Sequence, residues 1–202
     1  MRAPAIQPAG TVAGVDLFIV ELDGADPALA ALLSGEERAR ADRFLQARDR
    51  ERFVTGRAAL RLVVAGRAGV APEALAIEPA PGGKPRVAGG PPFSLSRADG
   101  LALLGVGRGR ALGVDLERVR EVPEADAIAA RVLGPRELAA WRAAGAGRGD
   151  AFLRAWTRTE ALVKALGLGL GAGPPPEDEA DVFDLDVAPG FRAALAVVRR
   201  EG

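Results

Sequence analysis

Two short stretches hold the residue types that can do chemistry: Gly113-Val114-Asp115-Leu116-Glu117, and Trp156-Thr157-Arg158-Thr159-Glu160-Ala161-Leu162-Val163-Lys164. The first reads as a strand, where carboxylates at i and i+2 project from one face. The second reads as a helix, where Glu160 and Lys164 at i and i+4 share a face. If those faces meet, Asp115, Glu117 and Glu160 gather with one ammonium around a single point. Three hard oxygen ligands with nearby cation support suit Mg²⁺ holding a phosphate group. Taken singly, each stretch has a plainer reading: the solvated face of an edge strand, or a helix surface pair contributing about 0.2–0.5 kcal/mol.

Lysine usage adds to the first reading. Of 27 basic residues only Lys84 and Lys164 are lysine, and the rest are arginine. A position that keeps lysine in so arginine-rich a chain suits a compact ammonium that a planar guanidinium cannot replace. Between residues 36 and 67 nine arginines face five acids. That excess reads either as a solvated helix face or as a basic patch for an anion or an acidic protein.

Composition limits the chemistry. The chain has 202 residues, 49% hydrophobic and 27% charged, with a formal net charge of zero. It is long enough for a real core, and the neutral balance argues against nonspecific nucleic-acid binding. No apolar run reaches the roughly 18–20 residues of a membrane span, and residues 1–10 lack the pattern of a signal peptide. A cytoplasmic protein is expected. With no Cys and no His, disulfides, thiolate sites and the commonest general base are excluded. Chemistry must run on carboxylates, Lys, Arg, hydroxyls and a hard cation.

The elements that must position these groups read as an α+β chain. Residues 15–22 form a strand, and Ser34 with Glu37 makes a capping box for a helix to about Gln46. Asp49 caps a longer helix ending near Gly66 or Gly69. Short strands fit residues 74–77, 93–96, 101–106 and 111–116. A helix over 124–133 breaks at Gly134-Pro135 and resumes through Trp141, and Asp150 caps the helix carrying Glu160 and Lys164. The glycine run 167–173 ends it, and strands 182–187 and 191–198 close a hairpin. Phe152 and Trp156 belong to the core. Each half thus reads as strand, helices, then strands. The expectation is two similar, pseudo-symmetric lobes, residues 1–108 and 109–202, with one cleft between them.

At this point the motifs resemble a known family. Gly113–Glu117 followed by Trp156-Thr157-x-x-Glu160-x-x-x-Lys164 resembles the 4′-phosphopantetheinyl transferases, in particular the larger two-lobed type. Gly83-Lys84-Pro85 is similar to that family's Gly-Lys-Pro, and Phe93-Ser94-Leu95-Ser96 to its Phe-Asn-Ile-Ser strand. Two positions depart from the pattern. Arg97 stands where the family commonly has His, and Thr159 where a Lys commonly precedes the helix glutamate.

The resemblance implies transfer of phosphopantetheine from coenzyme A to a serine of an acyl or peptidyl carrier protein, releasing adenosine 3′,5′-bisphosphate. It implies Asp115, Glu117 and Glu160 as ligands of Mg²⁺ against the coenzyme A diphosphate, with Lys164 on the same phosphates. It implies Lys84 and Pro85 beside the nucleotide, the Ser96–Gly100 turn with Arg97 along the phosphates, and Arg40 and Arg52 at the 3′-phosphate. The base that takes the serine proton stays open among Glu160, Glu137 and a metal-bound water. Glu137 also reads as a plain surface acid. A fused two-lobed chain supplies its own cleft, so a monomer is expected. The alternative is a degenerate, non-catalytic module of the same fold that binds coenzyme A or carrier protein.

Overall fold

The computed structural model describes residues 3–24, 26–169 and 173–199. Its strands and helices, with short 3₁₀ turns between them, form a mixed α+β fold. The first sheet is antiparallel, in the order β1 (Ile6–Val12), β2 (Val15–Glu21), β6 (Leu101–Val106), β5 (Phe93–Ala98). A two-residue ribbon pairs β3 (Glu78–Pro79) with β4 (Pro85–Arg86), and the second sheet runs β7 (Leu112–Arg118), β9 (Phe191–Val198), β8 (Ala180–Leu185).

Period-two alternation builds the layers. Val15, Leu17 and Ile19 of β2 point into a core shared with Leu112, Val114 and Leu116 of β7 and Ala193, Leu195 and Val197 of β9. The opposite face of the first sheet, through Phe18, Phe93, Leu104 and Val106, packs on Leu60, Val64 and Ala65 of helix α2 (Ala47–Ala68). The opposite face of the second sheet offers Ala180, Ala194 and Ala196 to Ala161, Leu162 and Ala165 of helix α5 (Arg148–Leu166). Small side chains on both partners let α5 lie close to its sheet. Phe152 is buried in a smaller cluster with Trp141 of helix α4 (Pro135–Arg142) and Ala129 of helix α3 (Ala125–Val132), and Trp156 packs against it.

Several boundaries differ from the expectations. The Ser34–Glu37 capping box is formed, but its helix α1 covers only Gly35–Ala41. The chain then turns tightly, with the Phe44 N–H donating to Ala41 O at 3.2 Å. Phe44 packs against Phe53, which leaves Leu45 fully exposed. Asp49 and Asp150 lie in the first turns of α2 and α5 and are not their caps. Residues 74–77 are not a strand, because Pro72 starts a 3₁₀ turn over Pro72–Ala74. Strand β1 was not anticipated. It is an exposed edge strand with a register shift between Pro8 and Thr11, so its sequence has no apolar alternation. The glycine run begins with Gly167 as a left-handed cap of α5, and residues 170–172 of it lie outside the described residues.

Candidate active site

One glycine decides how the two chemical stretches meet. A Cβ at Gly113 would stand 2.1 Å from Ala161 O, 2.5 Å from Ala165 N and 2.8 Å from the Lys164 Cβ. The backbones of β7 and α5 therefore touch at a spacing only glycine permits. Two residues on, Asp115 faces the same helix. The Lys164 Nζ donates to Asp115 Oδ1 at 2.5 Å, and the Ser96 hydroxyl of β5 donates to the same oxygen at 2.8 Å. Lys164 also donates to Val114 O at 3.3 Å. The Val114 N–H donates to the Ser94 hydroxyl at 3.1 Å. Thus β5, β7 and α5, distant in sequence, are joined through Ser94, Ser96, Asp115 and Lys164.

Asp115 is buried, and its Oδ2 has no hydrogen-bond partner. A buried unpartnered carboxylate oxygen is costly. Burial pushes the Asp115 carboxyl up, Lys164 and Ser96 pull it back down, and the Glu117 charge adds to the rise. Glu160 is raised too, first by burial and then by the Asp115 charge, with Lys164 opposing and Glu117 adding. The three carboxylates therefore lie within electrostatic reach of one another. Among the described residues, however, no three carboxylates stand close enough to make a ready metal cluster. The expected convergence on one point is incomplete because Lys164 takes Asp115 Oδ1 and Arg120 holds Glu117 at 2.7 Å.

Beside this group opens a cavity of about 460 Å³ whose lining comes from both halves of the chain. Arg40, Arg57, Lys84, Arg97 and Lys164 line it against a single carboxylate, Glu160. The Arg40 and Arg97 guanidiniums stand 5.3 and 5.4 Å from the centre of the Phe53 ring, which supports both cations. Burial holds the Arg97 and Arg57 guanidiniums below their usual range; the Arg40 charge lowers both further, while Glu37 opposes the shift at Arg57. Such crowding of like charge is relieved by a polyanion.

Pro85 lines the cavity as well, and so does Lys84, but the Lys84 Nζ already donates to Leu112 O at 2.6 Å and to Ala165 O at 3.4 Å. Burial lowers its pKa to about 8. Ser96 is buried behind the cavity wall with both its contacts inside the protein, whereas Ser94 reaches the lining. Arg52 does not line the cavity. Its guanidinium is taken by Asp23 at 2.7 and 3.0 Å, so it does not stand beside Arg40 in the cavity lining. Arg57 is there instead, paired with Glu37 at 3.0 Å. Sequence reading missed Arg57, although it falls with Phe53, Leu60 and Val64 on the apolar stripe of α2, a place where an unneeded arginine is costly. The buried Arg61 completes an Arg57–Glu37–Arg61 group, donating to Glu37 at 2.6 Å.

Glu137 pairs with Arg158 at 2.7 Å, and with Thr159 both line a different cavity. Glu137 is therefore not placed to serve the site. The Thr159 side chain is directed elsewhere than Glu160.

Residues 111–195 match the family model described as the 4′-phosphopantetheinyl transferase superfamily. The 4′-phosphopantetheinyl transferase HetI of Nostoc sp. is 37% identical over 145 residues, 69% of this chain and 61% of that protein. A putative 4′-phosphopantetheinyl transferase of Synechocystis sp., slr0495, is 33% identical over 146 residues, 70% of this chain and 59% of that protein. The chain thus spans about three fifths of the length of each. No helix among the described residues is long and apolar enough to cross a membrane. The segment 111–195, which carries Asp115, Glu160 and Lys164, is thus the part of the chain that is similar to the 4′-phosphopantetheinyl transferase superfamily.

Proposed function

We propose that the chain transfers 4′-phosphopantetheine from coenzyme A to a serine of an acyl or peptidyl carrier protein, as a monomer of the larger two-lobed type with lobes at residues 1–108 and 109–202. The observation that carries this reading is the cavity itself, with five cations and one carboxylate drawn from both halves beside the Asp115–Lys164 pair. A cavity lined from both halves of one chain supports the monomer reading. A cytoplasmic setting accords with a reaction that uses coenzyme A.

Arg40, Arg57 and Arg97 would hold the 3′-phosphate, and Phe53 would keep Arg40 and Arg97 in place. The residues fit Mg²⁺: Asp115 offers a buried oxygen with no partner, and Glu117 and Glu160 add hard oxygen donors. Held there, the ion would neutralise charge on the diphosphate. In the transfer, the carrier serine oxygen bonds to the phosphorus bearing the pantetheine arm, and the bond from that phosphorus to the oxygen bridging to the adenosine-side phosphate breaks. Adenosine 3′,5′-bisphosphate leaves. Lys164 presents its ammonium to the departing phosphate. Glu160, the carboxylate lining the cavity, takes the serine proton, and its raised proton affinity suits that role. Arg97 supports phosphate binding but cannot serve as a base.

The test is mass spectrometry of apo carrier protein incubated with coenzyme A, Mg²⁺ and the folded chain. A phosphopantetheine mass gain supports the reading. No gain on carriers of fatty-acid, polyketide and peptide synthesis overturns it. Calorimetric binding of coenzyme A without any gain would favour a non-catalytic module.

A further inference from the structure

The chain's two lysines share one structural act. Each donates to a carbonyl of β7 beside Gly113: Lys84 to Leu112 O at 2.6 Å, Lys164 to Val114 O at 3.3 Å. Strands β5 and β7 belong to separate sheets, with no ladder joining them among the described residues. Side chains bridge the gap instead. Ser94 receives the Val114 N–H, Ser96 reaches Asp115, and the two ammoniums take the carbonyls on either side of Gly113.

Lys84 also ties in the end of α5. Its second acceptor, Ala165 O, belongs to the last turn of that helix, where carbonyls lack intrahelical partners and a cation is favoured. The loop that carries Lys84 lies on the same helix end. A Cβ at Gly82 would stand 2.0 Å from Gly167 O, and Gly82 has a φ of 83° that disfavours other residues. The Ala80 N–H closes the loop by donating to Lys84 O at 2.7 Å. One ammonium therefore connects this loop, the start of β7 and the end of α5. An arginine is a poor substitute, since its planar fork suits a carboxylate or phosphate better than two carbonyls from different elements.

We infer that Lys84 is a positioning residue that fixes α5 against β7 on either side of Gly113, and so sets the Lys164–Asp115 contact and the place of Glu160. This rests on the transferase reading, and it gives this lysine a role beyond the place beside the nucleotide that the resemblance implies.

The test compares Lys84→Met and Lys84→Arg with the wild type for kcat, and for the coenzyme A Kd by calorimetry. Positioning predicts a kcat at least about tenfold lower in both variants, as expected for misplaced reacting groups. It also predicts a Kd within about threefold of wild type in Lys84→Arg, which keeps the charge, and a Kd in Lys84→Met that changes less than kcat does, because the Lys84 ammonium is already held by two carbonyls and only its longer-range charge on the cavity is lost. A phosphate contact predicts the reverse, with Kd raised about tenfold in Lys84→Met, rescued by Lys84→Arg, and kcat kept. That outcome overturns the inference, and so does an unchanged kcat per folded molecule. If the variants do not fold, the wild type still decides, because a chain with two lysines gives an assignable ¹³Cε-lysine spectrum. Lys84 should keep its pKa near 8 when coenzyme A binds, and a rise of more than about one unit, as from a nearby phosphate charge, refutes the idea. Mass gain by the wild-type protein is scored separately, so failure of the transferase reading is not confused with failure of this one.

Discussion

Gly113→Ala is the sharpest single perturbation of the site, because one methyl group meets two backbones. The new carbon would lie 2.1 Å from Ala161 O and 2.5 Å from Ala165 N. Ordinary contact would move α5 off β7 by more than about 1 Å, and neither obstacle is a side chain that can turn aside. Overpacking of this kind costs about 1–3 kcal/mol and occasionally more. In a chain of this size that lowers Tm by about 2–12 °C. The larger effect is on chemistry, since a displacement of about 1 Å between reacting groups can cost about 100-fold in rate. The matched control is Gly66→Ala. Gly66 is an exposed position within α2 where a Cβ meets nothing within 4 Å, so the change should add about 0.5–1 kcal/mol of stability. Thermal melts and carrier mass gain read both quantities. A Gly113→Ala protein with wild-type Tm and transfer rate would refute the claim that this close approach builds the site.

Further expectations follow from other parts of the molecule. Arg97→Ala should weaken coenzyme A binding by about 10–100-fold, the worth of a charged hydrogen bond, and should hardly affect coenzyme A lacking its 3′-phosphate. Arg52→Ala should do neither, as calorimetry with the two ligands will read. Glu37→Ala strands the buried Arg61 charge, and urea unfolding should report a loss of about 3–5 kcal/mol. Stability should rise as pH climbs from about 8 to 10.5, because folded Lys84 releases its proton early in that window and the unfolded chain releases it only at the top. The chain has no His, Cys or Tyr, so Lys84→Met should flatten that slope in urea titrations run at stepped pH.

The parts of the site that were legible in the sequence are those that spacing controls. Asp115 and Glu117 two apart on a strand, and Glu160 and Lys164 four apart on a helix, have their mutual placement fixed by backbone period. The meeting of Asp115 with Lys164 depends on Gly113, and a lone glycine in a strand pattern does not say which backbone approaches it. Arg52 and Arg57 were inseparable by composition within one basic run. On α2 they are five residues, about 140°, apart around the axis, so one faces Asp23 and the other faces the cavity. Strand β1 was illegible for a different reason: an edge strand exposed along most of its length needs no apolar alternation, and it tolerates Pro8 and Gly10. The bridging of β5 to β7 by Ser94, Ser96 and Lys164, and of α5 to β7 by Lys84, is a tertiary arrangement with no local signature at all.

The proposed metal site has Asp115, backed by Glu160 and Lys164, holding a divalent cation against a diphosphate in the arginine-lined cavity. Calorimetric titration of coenzyme A into the wild type and Asp115→Asn, each with and without Mg²⁺, tests it most directly. Mg²⁺ should strengthen binding to the wild type by at least about tenfold, a coupling of about 1.4 kcal/mol, and should leave Asp115→Asn unaffected. Equal Mg²⁺ dependence in the two proteins, or none in the wild type, would contradict it.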